Sequence, residues 1–342
     1  MANKILVTGG TGYIGSHTVV ELQESGYEVI VVDNLSNSSI DVLDNIEKIS
    51  GIKPAFEQFD LADAAKTDDF FSRNSDIDAI IHFAASKAVG ESVEKPLLYY
   101  RNNLVSLMNL LDCQLKYNVP NIVFSSSCTV YGQPEVLPVT EETPRKDAES
   151  PYGNTKRVNE DILNDTIAAN PVLKGIALRY FNPIGAHPTA LIGELPLGVP
   201  QNLVPFITQT AAGLRDELKV FGDDYDTVDG SAVRDYINVV DLAKAHVVAI
   251  ERLLGNKNKK NYEIFNLGTG NGASVLEIVN GFEKATGVKL NYKIVDRRAG
   301  DIEKIWADTT FANEELGWKA EKGLEETLLS AWNWEKKVRG IQ

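Results

Sequence analysis

"KILVTGGTGYIGSH", Lys4 to His17, is a short apolar run that breaks into glycines and resumes as helix-compatible sequence. Gly9, Gly10, Gly12 and Gly15 satisfy both GxxGxxG and GxGxxG. A strand that enters a tight glycine turn and then a helix lets the backbone approach a pyrophosphate. The helix amino terminus offers that group free N–H donors and the positive end of its dipole. Alone, the glycines also fit an ordinary strand-to-helix turn. The next apolar run, "YEVIVVD", ends in Asp33, about 20 residues beyond the glycines, where a carboxylate accepts adenosine ribose hydroxyls and repels a 2'-phosphate. Together they predict NAD rather than NADP. Asp60, after "PAFEQFD", fits the same role or that of a solvated charge at a strand end.

The rhythm continues outward from this unit. "DAIIHFA", "NIVFSSS" and "GIALRYF" are further β-branched runs, each followed by helix-compatible sequence. Near-continuous apolar strands separated by helices indicate a parallel sheet covered on both faces. The fold class read here is α/β: a doubly wound parallel Rossmann sheet with a smaller mixed α/β substrate-binding lobe. Residues 1–181 form the first domain and 182–342 the second lobe, because after "YFNPIGAHP" proline and glycine interrupt the alternation. "NYEIFNLGTG", Asn261 to Gly270, again reads as a buried strand, so a segment of about 233–270 is expected to return to the first sheet.

Composition narrows the function classes. The chain of 342 residues carries a net charge of -14, a field that repels a polyanion, so nucleic acid is not an expected partner. No apolar run approaches the roughly 18 residues of a spanning helix, and no membrane association is expected. The amino terminus reads as untargeted, giving a cytoplasmic expectation. Cys113 and Cys128 suggest reduced thiols rather than a disulfide framework, and the four histidines show no ligand spacing, so no metal site is expected.

Two further stretches carry reactive groups. "FSSSCTVYG" places Ser125, Ser126 and Ser127 at the carboxyl end of the fifth strand, the edge where ligands bind in open α/β sheets. A serine-rich turn satisfying its own backbone has the same composition. "SPYGNTK" opens a helix, with Ser150 as N-cap and Pro151 in the first turn, so Tyr152 and Lys156 share one face.

Glycine cradle, strand-end serine and YxxxK together make the chain resemble the extended short-chain dehydrogenase/reductase family, and within it the nucleotide-sugar 4-epimerases. Similar segments run nearly the whole length, including "VVDNLSNS", "YFNPIGAHP", "GDDYDTVDGSAVRDYINV" and "RRAGDIEKIWAD". The resemblance implies NAD contacts at Gly9, Gly12, Tyr13, Ile14, Gly15, Asp33, Asn34, Asp60, Leu61, Phe83, Ala84, Lys87 and Asn102, with Tyr152, Lys156 and Tyr180 near the nicotinamide. It implies a catalytic set of Ser127, Tyr152 and Lys156. A UDP-sugar substrate would meet Lys87, Ser127, Tyr152, Asn182, Asn202, Leu203, Phe221, Arg234, Arg298, Asp301 and Ile305. Arginines fork onto a diphosphate and Phe221 offers a face to uracil, although Arg234 and Arg298 also fit surface ion pairs.

The implied activity is reversible C4 epimerisation of UDP-galactose and UDP-glucose through a 4-keto sugar, with NAD retained as hydride carrier. Tyr152 is expected to move the hydroxyl proton, Lys156 to lower the phenol pKa electrostatically, and Ser127 to steer the proton. Elimination by a related dehydratase would need an Asp-Glu pair where this chain reads Cys128, Thr129 and Val130. Ile305 stands where relatives carry a gating residue, and its intermediate bulk is expected to disfavour N-acetylated sugars. Helices of about 94–118 and 151–169 make a homodimer the expectation from resemblance.

Overall fold

β1 (Lys4–Thr8) is buried beyond its first residue and lies inside a seven-stranded sheet, as an apolar run covered on both faces requires. The computed structural model describes residues 2–298 and 301–342, so Ala299 and Gly300 of "RRAGD" lie outside the described residues. The chain continues through α1 (Tyr13–Glu24), β2 (Glu28–Asp33), α2 (Asp41–Ser50), β3 (Ala55–Gln58), α3 (Ala64–Arg73) and β4 (Ala79–His82). Next come α4 (Val89–Glu94), α5 (Pro96–Tyr117), β5 (Asn121–Ser127), α6 (Pro151–Ala169) and β6 (Lys174–Tyr180).

The strand order β3-β2-β1-β4-β5-β6 is completed by β10 (Tyr262–Leu267), and every pairing is parallel. Because the chain runs outward from β1 to β3 and then returns to β4, a crevice opens between β1 and β4 at the strands' carboxyl ends. Alternation along each strand divides the core. Ile5 and Val7 face a layer with Val19, Val20, Leu242 and Ile250, while Leu6 faces Phe70, Phe71, Leu107 and Leu163.

Between β6 and β10 the chain forms β7 (Asn182–Ile184), α7 (Leu203–Ala211), β8 (Leu218–Phe221), β9 (Val233–Asn238) and α8 (Val239–Leu254). Of this stretch, β9 joins a smaller sheet, whereas α8 packs on α1 and the large sheet. The remaining elements are β11 (Gly272–Ser274), α9 (Val275–Thr286), β12 (Tyr292–Val295), β13 (Lys304–Ile305) and α10 (Leu324–Arg339). β11, β13 and β7 all pair with β9, and β12 pairs with β8. Among the described residues no helix is long and apolar enough to cross a membrane.

The turn after β1 requires glycine by geometry. Gly9 sits at φ +71°, and a Cβ there would stand 2.8 Å from the Ala84 nitrogen. At Gly15 a Cβ would stand 2.2 Å from the Gly9 carbonyl oxygen, a contact between two backbones that no rotamer relieves. Gly15→Ala is therefore expected to lower stability by about 2 kcal/mol, read as a reduced urea midpoint with unchanged m-value. An unshifted midpoint would show that the turn relaxes freely.

Candidate functional site

The glycine turn is the first wall of the crevice. Gly12 is the N-cap of α1 and supplies no side-chain cap, leaving the first-turn N–H groups facing outward. Asp33 ends β2 with only 8% of its surface exposed, and its carboxylate accepts from Thr11 N at 3.3 Å and Leu35 N at 2.9 Å. Both contacts orient it beside the turn. Asn34 accepts from Ser36 N, and Asp60 accepts from Ala62 N, each capping its own loop. Leu61 is buried, with its carbonyl tied to Asn109 at 2.7 Å. Ile14 packs against the core, whereas the Tyr13 hydroxyl donates to the Gly185 carbonyl at 2.6 Å and bridges to the segment after β7.

β4 and the loop after it form the next wall. Phe83 N donates to the Thr8 carbonyl, which brings Phe83 and Ala84 against Gly9. Burial, reinforced by the nearby Lys156 charge, pulls His82 down to about 3, so its ring is neutral and shares a 2.8 Å hydrogen bond with Thr8 Oγ1. Asn102 on α5 donates to Ser86 Oγ at 3.1 Å, and Asn103 accepts from Ser86 N at 2.8 Å, which pins the loop that carries Lys87.

The reactive groups come from β5 and α6. Ser150 caps α6 by accepting from Gly153 N at 3.1 Å, with Pro151 in the first turn. Tyr152 and Lys156 lie one turn apart on the face toward β5. Lys156 Nζ donates to the Ser125 carbonyl at 2.5 Å and lies 5.9 Å from the Tyr152 ring centroid. Ser127, 7% exposed, accepts from Thr129 N at 3.2 Å; its hydroxyl lies beside the Tyr152 phenol and opposes part of the rise that burial imposes on that group. The Ser125 and Tyr180 hydroxyls are hydrogen-bonded to each other, so Tyr180 stands at the same strand ends.

In the chain alone, burial acts against the electrostatic activation of the phenol expected from Lys156. Burial dominates both groups, raising Tyr152 well above an ordinary phenol and lowering Lys156 to about 7. The physical reason is that the chain alone supplies too little compensating charge in this dry crevice. Glu160, one turn beyond Lys156, is the group that opposes the fall of the ammonium pKa.

Sequence reading had passed over that residue. Glu160 is 2% exposed, accepts from Ser126 Oγ at 2.5 Å, and forms a forked ion pair with Arg179 at 2.9 and 2.6 Å. It was findable, because Tyr152, Lys156 and Glu160 continue one i, i+4 ladder. Asn154 donates to the Tyr100 hydroxyl and Thr155 accepts from Asn103, tying α6 to α5; only the fold reveals those partners.

The second lobe gathers the remaining residues into two groups. Arg298 lies 5.5 Å from the Phe221 ring centroid and pairs with Asp301 at 2.7 Å, so these three meet. Arg234 is half-buried on β9, donating to the Val233 carbonyl at 2.8 Å, and its charge reaches Cys128 and Tyr236. Asn202, the N-cap of α7 before Leu203, forms a different group: its amide donates to Glu194, which also pairs with Lys87. Asn182 opens β7 beside Tyr236. Ile305 is 1% exposed and packs with Cys128, Tyr131 and Phe181. Cys128 is a buried free thiol pushed up to about 12 by burial, which suits packing rather than nucleophilic attack.

Residues 5–268 match the NAD dependent epimerase/dehydratase family. The chain belongs to that family. It is 52% identical over 337 residues to UDP-glucose 4-epimerase 2 of Arabidopsis thaliana, covering 98% of this chain and 95% of the relative. The UDP-glucose 4-epimerase of Bacillus subtilis (strain 168) is 52% identical over 331 residues, covering 97% and 96% respectively. Among solved structures, the UDP-glucose 4-epimerase from Bifidobacterium longum, in complex with NAD+ and UDP, superposes with a TM-score of 0.94 at 48% identity. That superposition covers 99% of this chain and 100% of the other. The glycines, the outward N–H groups and Asp33 fit the adenosine and pyrophosphate of NAD in this member of the family.

The Lys156 shift has a stability consequence in the cofactor-free protein. An unfolded lysine titrates near 10.4, so between about pH 7 and pH 10 unfolding takes up a proton and this group's contribution to stability rises with pH. Below that window the buried charge weighs fully on the fold. Lys156→Met is expected to gain most over wild type at pH 6, with the difference narrowing by about 4 kcal/mol by pH 10. Paired urea titrations test this, and a pH-independent difference would contradict it.

Proposed function

We propose that the protein catalyses reversible C4 epimerisation of UDP-galactose and UDP-glucose, with NAD retained as the hydride carrier. The observation that carries this reading is Lys156 bonded to the Ser125 carbonyl with Tyr152 and Ser127 beside it, at the strand ends next to the glycine cradle. The relatives named above, catalogued as UDP-glucose 4-epimerases, support the substrate class.

Inverting a carbon that bears hydrogen and hydroxyl is difficult by displacement and easy through a ketone. When bound, NAD+ supplies reversible hydride acceptance at C4, which gives a transient 4-keto sugar, and its positive charge adds to the field on the phenol. Tyr152 takes the proton of the 4-hydroxyl and later returns it to the same oxygen, when the hydride is given back to the opposite face of C4. A phenol working near neutrality must be brought down by about 4 kcal/mol from its ordinary value, and by more from the raised value that burial gives Tyr152. When protonated, Lys156 offsets about 3 kcal/mol of this at an effective dielectric of 20, and the cofactor's positive charge would have to supply the remainder. Ser127 holds the reacting oxygen and directs the proton.

Return of the hydride to the opposite face requires a sugar free to turn and a diphosphate that is held. Arg234 and Arg298 hold the diphosphate, Phe221 receives the uracil and Asp301 the ribose, while Asn182, Asn202 and Leu203 close the pocket. Ile305 limits the sugar side: its bulk favours unsubstituted hexoses. Exposed Val89, Val93, Leu97, Leu98, Met108 and Leu115 on α4 and α5 support a homodimer built on this apolar face. We place the protein in the cytoplasm, where the thiols of Cys113 and Cys128 stay reduced.

Purified protein incubated with UDP-galactose and no added NAD is expected to form UDP-glucose, and Tyr152→Phe to lower the rate by about 100-fold or more. Absolute dependence on added NAD would count against a retained cofactor, and undiminished turnover in the variant would remove Tyr152 from its role. Ile305→Ala is expected to raise the efficiency on UDP-N-acetylglucosamine relative to UDP-glucose by about 10-fold. Equal efficiency on the two sugars in wild type would overturn the gating role.

A further inference from the structure

Glu194, in the segment between β7 and α7, has no role assigned so far, yet it touches both ligand walls. Its side chain is 11% exposed. One oxygen, Oε1, accepts from Asn202 Nδ2 at 2.6 Å and from Lys87 Nζ at 3.4 Å. Lys87 comes from the first domain and lies 5.9 Å above the Tyr13 ring, while Asn202 opens α7 in the second lobe. The Tyr13 phenol also feels the Glu194 charge.

The backbone around the carboxylate is anchored independently. The Glu194 carbonyl accepts from Trp334 Nε1 at 2.9 Å, and the Trp334 ring covers Gly193 so closely that a Cβ there would stand 2.5 Å from it. A half-exposed lysine and an exposed asparagine would otherwise sample several rotamers. Shared bonding to one fixed oxygen narrows the positions open to both side chains, more tightly for Asn202 at 2.6 Å than for Lys87 at 3.4 Å.

We propose that Glu194 is a positioning residue that sets Lys87 on the cofactor wall and Asn202 on the nucleotide-sugar wall in fixed relation, aligning the two ligands for hydride transfer. This rests on the reading of Lys87 and Asn202 as ligand contacts. A misplacement of about 1 Å between reacting groups costs roughly 100-fold in rate. The carboxylate therefore acts on kcat more than on KM.

The test uses the purified protein with its own bound NAD and UDP-galactose as substrate. Glu194→Ala is expected to lower kcat about 100-fold with little change in KM. Glu194→Gln keeps an acceptor for Asn202 and is expected to recover about 10-fold of that loss, a rescue that a purely structural role would not produce. In a Lys87→Met, Asn202→Ala background, removing Glu194 is expected to have less than about 3-fold further effect, because its two partners are gone. Wild-type kcat in Glu194→Ala, or the same loss in both backgrounds, would overturn the proposal. If the alanine variant does not fold, the glutamine variant decides: a several-fold loss that vanishes in the double-variant background supports it, and an equal loss in both contradicts it. The single variants Lys87→Met and Asn202→Ala separate the two levels. If both retain wild-type kcat and KM, the ligand-contact reading fails; if both are impaired while Glu194→Ala is not, only the role of Glu194 fails.

Discussion

The hydrogen bond from Lys156 to the Ser125 carbonyl joins the two elements on which the chemistry depends. It clamps the first turns of α6 onto the carboxyl end of β5, so Tyr152 and Ser127, which belong to different elements, face one reacting position. A buried amine is costly, and the fold compensates with Glu160 one turn on, itself satisfied by Arg179 and Ser126. Removing either member of the Glu160–Arg179 pair would leave a buried charge without its partner, at a cost of about 3–5 kcal/mol. The reactive edge is thus held by an electrostatic chain that runs away from solvent, beneath the site.

That chain explains why the pKa values are arranged as they are. Burial pushes both the phenol and the amine toward their neutral forms; positive charge added nearby favours the phenolate, whereas the ammonium is supported by the negative Glu160. Burial keeps Tyr152 protonated unless positive charge stands beside it, so no tyrosinate is stranded without a counter-ion. The net acidity of the protein is compatible with anionic ligands for the same local reason. Arg234, Arg298 and Lys87 act within a few ångströms, whereas most of the 48 acidic side chains lie on a solvated surface screened over about 8–10 Å.

Much of the fold was legible because each signal was local. Lys4 to His17 encodes strand, turn and helix in one stretch, and six apolar runs up to Phe181 give the first six strands in order. The pair Tyr152 and Lys156 was readable from helical spacing, and the Ser150 cap from the residue before Pro151. What spacing could not show were partners that meet through the fold. Glu194 reaches Lys87 across more than a hundred positions, and Asn103 reaches Thr155 across fifty-two. The division of residues 233–270 between the smaller sheet and the large one was equally hidden, because β9 and β10 are both six-residue strands of mixed polarity and only pairing separates them. Sequence spacing carries the sign of a neighbour's charge but not the depth of burial, which raises Tyr152 in the chain alone.

The central claim is that one hydrogen leaves C4 of the sugar and returns to the same carbon of the same molecule, without passing through solvent. Mass spectrometry of the product formed from UDP-galactose deuterated at C4, in ordinary water, tests it most directly. The account predicts UDP-glucose that keeps its deuterium at C4 through complete turnover. Loss of the label to water would contradict it, because deprotonation and reprotonation of carbon, not hydride return, would then invert the centre.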